Sequence, residues 1–552
     1  MNTYIFSLLL RCISFITWIT LFSNSCVDTA SIGNEDNFRL SKLSSRSQTP
    51  KTHEYNFNVT IIYGAPDGVS RQIWTINEQF PAPTIEITKG DRVIMNVYNN
   101  LNETTTVHVH GLFHQGDPWN DGSVATSQCG IPPKSTFTYN FTVNQVGTYY
   151  YHAHFPGQYI DGIYGAFIIH DPEDPYLDEY DEEYIVVLSD WFHTEGKILT
   201  KMYFELHFVE PNPNNGLING KNKYDCTQLY PDTPCNGGEC SKFTFVPGKR
   251  YRLRIINAST MAPFFFSIDN HILDVIEVEG GYIEKYTLTT VPLNIGQRYS
   301  VIVKADQEIS NYWMRSAFDY TAYFRNQTTK VYNNAIVHYE GADEKEPTTQ
   351  FWNDSITSEW KDLDQLVNLK PYYYEELPSS DLTMLLSTDF NMTEGYMNGS
   401  MYVPDYNGST LNKVYQGVRE FDADQNVYTF TQPGQVIDIL LYNLNNKEHP
   451  FHMHGHKFWV LGSFNTNFTG VIPSNATFNL VNPIKRDSVT LEACGWFVIR
   501  FVIDNPGVWT FHCHIEWHAI SGMVMQMVEL PDSITKLDPP QDWINLCDYS
   551  MN

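Results

Sequence analysis

Three stretches of this chain are versions of one another, and they constrain its fold more than any other feature. They read GDRVIMNVYNNL (90–101), GKRYRLRIINAS (248–259) and GQVIDILLYNLN (434–445). Each opens on glycine and a polar residue, runs on as an apolar, β-favouring stretch and carries asparagine near its end. A turn followed by a strand produces that pattern. The spacing predicts three homologous domains of mostly short strands separated by turn signals, as in β-sandwiches. They are placed at 51–171, 172–345 and 370–531. A linker at 346–369 follows the acidic start of EGADEKEPTTQ (340–350), and a tail covers 532–552. DLDQLVNLKPYY (362–373) reads as part of that linker.

The histidines obey the same repeat. The first domain has HVHG (108–111) and GTYYYHAH (147–154); the third has HPFHMHGH (449–456) and GVWTFHCH (507–514). Residues two apart in a strand point to one face, so each H-x-H presents two imidazoles side by side. The second domain offers a single His271 at the equivalent place, read as structural. Four matched pairs split between two domains predict a metal cluster at their interface. The last pair extends into HCHIEWH (512–518), where Cys513 stands between two histidines, His518 lies four residues beyond His514, and Met523 follows. Imidazole, thiolate and thioether together form a ligand set suited to copper.

The remainder bounds where such a protein works. The N-terminal apolar run (1–26) reads as a signal peptide rather than an anchor, because no stop-transfer charges follow. The polar, Ser-rich 27–50 reads as a disordered leader, and no later stretch is apolar enough to span a bilayer. Sequons at Asn58, Asn102, Asn140, Asn257, Asn326, Asn353, Asn391, Asn398, Asn407, Asn467 and Asn475 predict a secreted, N-glycosylated chain. A formal net charge of −28 argues against nucleic acid as a partner.

These motifs resemble the blue multicopper oxidases: laccases, ascorbate oxidase and fungal ferroxidases. The likeness runs over 52–547, and WNDG (119–122), NPGVWTFHCHIEWH and HPFHMHGH look most like fungal members. The resemblance implies an all-β fold of three consecutive cupredoxin-like Greek-key β-sandwich domains. It implies four coppers, at type 1, type 2 and paired type 3 sites. His449, Cys513 and His518 match type 1 ligands, with Met523 on the axis. His108 and His452 match type 2 ligands; His110, His152, His154, His454, His512 and His514 match type 3 ligands. His114, His193 and His456 match none and are expected to be structural. Electrons taken at type 1 would cross Cys513 to the trinuclear site and reduce O2 to water. Asp121 and Glu516 match acidic residues near that site, as proton relays or as partners that orient a ligand histidine. Met523 implies a low-to-middle type 1 potential.

The substrate is left to loops. Asp190, in SDWFH, lies where fungal ferroxidases tend to carry Glu and laccases often Asp; Asn445 stands where ferroxidases carry Asp. Both departures favour a laccase-like oxidase of phenols or aromatic amines over a ferroxidase oxidising Fe2+. A non-catalytic copper-binding or wall protein would be marked by lost ligands, and none is lost. The resemblance pairs Cys129 with Cys547. Crowding predicts a local bridge from Cys226 to Cys235 or Cys240, Ile160 replaces a family interdomain cysteine, and Cys494 is expected as a buried free thiol.

Overall fold

The computed structural model describes residues 31–43, 49–205, 210–318, 332–349 and 369–548. The proposed signal peptide and most of the 362–373 segment lie outside them. The described chain forms three β-sandwiches, each of two sheets.

The repeated stretch is a central strand each time. Arg92–Asn99, Arg250–Asn257 and Val436–Asn443 each pair in parallel with their domain's first long strand: Thr52–Gly64, Glu182–Trp191 and Leu382–Asn391. On the other side each pairs antiparallel with a later strand. The alternating apolar residues explain the placement, because they give each strand one face for the core.

The asparagine that closes each repeat has one task in all three domains. The side-chain oxygens of Asn99, Asn257 and Asn443 accept from the backbone N–H two residues on, at 3.0, 3.0 and 2.9 Å. Their amide nitrogens each donate to two carbonyls of neighbouring loops. This Asx turn stops the strand and knots the loops together. It also occupies Asn257 completely: the residue is buried, so its sequon is not available to a glycan in the folded protein.

The leader corrects the sequence reading in part. Ser31–Ile32 adds in parallel to Gln79–Phe80 of the first domain, and Arg39–Leu40 pairs antiparallel with Glu183 and Tyr184 of the second. Phe38 and Leu40 are buried. Two apolar anchors in a polar stretch suffice to order it, and this segment straps the first domain to the second.

Cys129 is bridged to Cys547, and Cys226 to Cys235. Cys240 is free, as is Cys494, which is partly exposed rather than buried. No helix among the described residues is long and apolar enough to cross a membrane.

Candidate metal centre

The smaller sheets of the first and third domains carry the histidine motifs on neighbouring antiparallel strands. Val107–His110 pairs with Gly147–Ala153, so that His108 is opposite His152. His449–Met453 pairs with Gly507–Cys513, so that His452 is opposite His512. Facing one another, the two sheets gather the side chains into compact groups. His108, His110 and His452 form one, His110, His152 and His514 a second, and His154, His454 and His512 a third; in each, the ligand atoms lie within 4.8 Å of one another. The rings of His110 and His452 stack at 3.6 Å, and those of His108 and His454 at 4.1 Å, across the domain boundary.

Hydrogen bonds determine which nitrogen of each ring is free. Burial first, then neighbouring rings (for His110 the Arg298 guanidinium ahead of them), lowers the pKa of His110, His152, His452 and His514 well below the usual value, and brings that of His512 to about 3. A neutral imidazole has one N–H and one lone pair. His108, His152, His452 and His512 donate Nδ1–H to backbone oxygens of Asp121, Ala153, Asp487 and Cys513 at 2.6–2.9 Å. His454 donates Nδ1–H to the Asp121 carboxylate at 3.0 Å. All five are left with an Nε2 lone pair. His110 is reversed: its Nε2–H donates to Asp487 Oδ1 at 3.2 Å, and its Nδ1 faces His514 Nε2 at 3.1 Å.

The outcome is lone pair against lone pair. Nε2 of His454 and of His512 face each other at 3.2 Å with no proton left for either. Nε2 of His108, His152 and His452 is buried with no hydrogen-bond partner. Buried acceptors arranged this way are costly unless a cation lies among them, so the donor set fits metal.

A separate group lies beyond the strand end. Cys513 Sγ is 3.3 Å from His518 Nδ1 and 3.8 Å from His449 Nδ1, and the two nitrogens are 2.9 Å apart. His518 rides on the short helix Glu516–Ile520 and donates Nε2–H to Glu210 at 2.5 Å, which leaves Nδ1 free. Burial pushes the Cys513 thiol well above its ordinary pKa, so a bound cation is what would displace its proton. Two imidazoles and one thiolate in a buried triangle suit a blue copper site. Met523 is buried beside it: its N–H bonds to the His518 carbonyl and its carbonyl accepts from the Cys513 N–H, at 3.0 and 3.2 Å.

The acidic residues separate by role. Asp121 spends both carboxylate oxygens on His454 and its carbonyl on His108. Burial would raise its pKa, but the two rings beside it hold it well below the usual range. Glu516 accepts from Gly157 N–H at 2.8 Å and lines a cleft with His152, His154, His512 and His514. Burial raises its pKa to about 7.

Asp190 requires a correction. It is buried, its oxygens accept from the N–H groups of Thr260, Met261 and Ala262 and from the Thr260 hydroxyl, and so it holds a turn together instead of facing a substrate. The carboxylate at the His518 edge is Glu210, on the connection before Asn215–Ile218. Burial would raise its pKa, but His518 and Lys447 bring it down to about 2. Nothing in the local sequence marks Glu210, because its neighbours in space come from the third domain. Asp487, which bonds two histidines of the cluster, was likewise missed; it lies far from every histidine motif. His114, His193 and His456 take structural places beside Asp117, Asp67 and Glu529, and His271 bonds Tyr339.

One mononuclear group joined through a cysteine to a histidine cluster between two β-sandwiches defines a copper oxidase fold. Models of the multicopper oxidase family match residues 58–174, 182–342 and 381–533. The chain belongs to the multicopper oxidase family: it is an oxidoreductase, its cofactor is copper, and its domains are cupredoxin-like. It is 34% identical to a laccase of Phlebia radiata over 89% of this chain and 93% of that one. It is 33% identical to the iron transport multicopper oxidase fio1 of Schizosaccharomyces pombe, over 89% and 78%. Among solved structures, the laccase of Botrytis aclada superposes with a TM-score of 0.81 at 32% identity, covering 95% of this chain and 96% of that one. Fet3p, a multicopper oxidase that functions in iron import, gives 0.79 at 31%, covering 91% and 95%.

Proposed function

We propose that this chain is a secreted laccase-like oxidase that takes single electrons from phenols or aromatic amines at the His518 edge. In this reading His449, Cys513 and His518 would hold the type 1 copper, with Met523 buried beside them. His108 and His452 would hold type 2; His110, His152, His514 and His154, His454, His512 would hold the type 3 pair. Bound copper at these places supplies four one-electron oxidations of the donor coupled to reduction of O2 to two waters.

The chain's own residues supply the rest. Cys513 is joined by single peptide bonds to His512 and His514, a covalent path from one centre to the other. Asp121 orients its two rings. Glu516, partly buried in the cleft beside the cluster, is placed to pass protons to oxygen as it is reduced.

The observation that carries the substrate class is Glu210 on His518 Nε2. A phenol that loses an electron becomes a strongly acidic cation; the ionised Glu210 carboxylate, a weak base with a pKa of about 2, stabilises that positive charge at this edge and can take the proton from so strong an acid. The surroundings suit an organic donor. The Phe390 ring lies 4.2 Å from that of His518, and Met392 and Leu444, in the turn and loop beside it, are exposed. Lys447 is ion-paired to the other Glu210 oxygen, so Fe2+ would have to displace an ammonium to reach this ligand.

The test compares kcat/KM for Fe2+, a methoxyphenol and ascorbate in the wild type and in Glu210→Gln. The phenol should be preferred, and the variant should lose roughly 10²-fold on it with less effect on ascorbate. A marked preference for Fe2+ would replace this reading by the ferroxidase one.

A further inference from the structure

Among the described residues the middle domain contributes none of the assigned ligands, yet one of its turns is built into the cluster. Residues 294–297 join two strands, and Gly296 there has φ +81°. A Cβ at Gly296 would lie 2.9 Å from His110 Cε1 and 3.3 Å from His514 Cδ2. The turn's backbone therefore rests against two rings from two different domains, and only glycine leaves them room. The turn is itself anchored: Asn294 donates to Thr490 Oγ1 at 3.0 Å, and the Gly296 N–H bonds to the Asn257 carbonyl at 3.1 Å.

Arg298 follows at once. Its guanidinium grips Asp487 with both arms, at 2.7 and 2.6 Å. It also donates to the Thr148 carbonyl of the first domain at 3.2 Å and to the Gly296 carbonyl at 2.9 Å. Asp487 in turn aims two rings by opposite means: its carboxylate receives His110 Nε2–H, and its carbonyl receives His452 Nδ1–H. All these residues are buried. A fork-to-fork pair fixes orientation as well as distance, so the angle of the Asp487 carboxylate is set from the middle domain. Glu279, also of that domain, accepts from the backbone N–H groups of Asp487 and Ser488 at 2.8 and 3.0 Å. Gly111 completes the nest. It follows His110 in the HVHG motif, and a Cβ there would meet Arg298 Nη2 and Asp487 Oδ2, both at 2.7 Å.

We infer that Arg298, together with the Gly296 turn, is the positioning element of the trinuclear site: the middle domain sets which nitrogen His110 and His452 present, and where. This rests on the ligand assignment above. Asp121 does the same for His108 and His454 from within the first domain, but Asp487 depends on a guanidinium from the domain that supplies none of the assigned ligands.

The experiment uses the copper-loaded full chain and reads three signals: the type 1 visible band, the type 2 electron paramagnetic resonance spectrum and copper content. Type 1 lies outside the Asp487 network and reports folding. Arg298→Met should keep the blue band, change the type 2 spectrum and lower trinuclear copper affinity by roughly 10–100-fold, the usual cost of losing a partner that orients a ligand. Arg298→Lys keeps the charge without the fork and should recover only part of the loss. If Arg298→Met does not fold, Gly296→Ala, which touches no charge, decides: an altered type 2 spectrum with an intact blue band supports the role. Unaltered type 2 spectra in Arg298→Lys and Gly296→Ala would overturn it. His452→Ala separates the two failures. If it keeps the trinuclear signature, the ligand assignment falls; if it loses the signature while the others keep theirs, only the positioning role falls.

Discussion

Cys513 is the residue on which the two centres meet, and its backbone and side chain do different things. Its sulfur faces His449 and His518, whereas its carbonyl receives His512 Nδ1–H. The backbone bond that orients a cluster histidine therefore survives loss of the sulfur. Cys513→Ser should abolish the blue colour and the oxidase activity while leaving the trinuclear coppers largely bound. Visible absorption and copper analysis on the purified variant check this; a variant that stays blue would remove Cys513 from the type 1 site. The same residue scale explains Glu210. Its carboxylate does not belong to any motif, and its partners His518 and Lys447 lie hundreds of residues away in the chain.

At the scale of the element, the repeated strand explains how one sequence pattern serves three domains. Its apolar run is the centre of a sheet, and its terminal asparagine organises the loops that follow. In the third domain those loops lead to His449: Asn443 donates to the carbonyls of Lys447 and Glu492 at 2.6 and 2.9 Å and accepts from the Asn445 N–H at 2.9 Å. Asn443→Ala would leave three backbone groups without this partner. Denaturant unfolding should show a loss of about 3 kcal/mol, with weakened type 1 copper binding from disorder in the loop before His449. A loss below about 1 kcal/mol would mean that water replaces the amide and the turn is not what holds the loop.

Over the whole molecule, buried charge and one long covalent tie join the domains. Glu277 of the middle domain accepts from Thr148 N–H of the first domain at 2.7 Å and pairs with Arg252 and Arg254. Burial would raise its pKa; the two guanidinium groups overcome this and lower it from 4.5 to about 2. A depressed carboxylate stabilises the fold above its unfolded pKa, and the stabilisation is lost as pH falls from about 4.5 through about 2. Its size is on the order of 3 kcal/mol. Thermal unfolding across pH 5 to 2 should therefore steepen in the wild type, and Glu277→Gln should flatten that slope while costing most near neutrality. An unchanged slope would show that this pair does not control acid stability. The Cys129–Cys547 bridge, spanning 418 residues, ties the tail back to the first domain; loop-entropy models assign such a closure about 4–5 kcal/mol at most.

Much of this was legible in the chain because it is local or repetitive. Strand alternation puts both imidazoles of H-x-H on one face wherever the motif occurs, so the histidine pairs could be read directly. The triple repeat likewise foretold three sandwiches, and HCHIEWH places Cys513 between two histidines of the cluster by peptide bonds alone. The leader was misread because composition averages over Phe38 and Leu40, two residues that bury themselves in a mostly polar stretch. Asp190 was misplaced because a resemblance gives a position in the chain and not the amides around it. Glu210, Asp487, Arg298 and Gly296 carry no local signature. Each acts on a histidine of another domain, and only the packing of three domains brings a carboxylate to His518 or a glycine turn against His110. The sequence by itself determined which atoms could bind copper; tertiary structure decided which nitrogen each ring presents and what faces the donor, because hydrogen bonds and burial belong to neighbours in space.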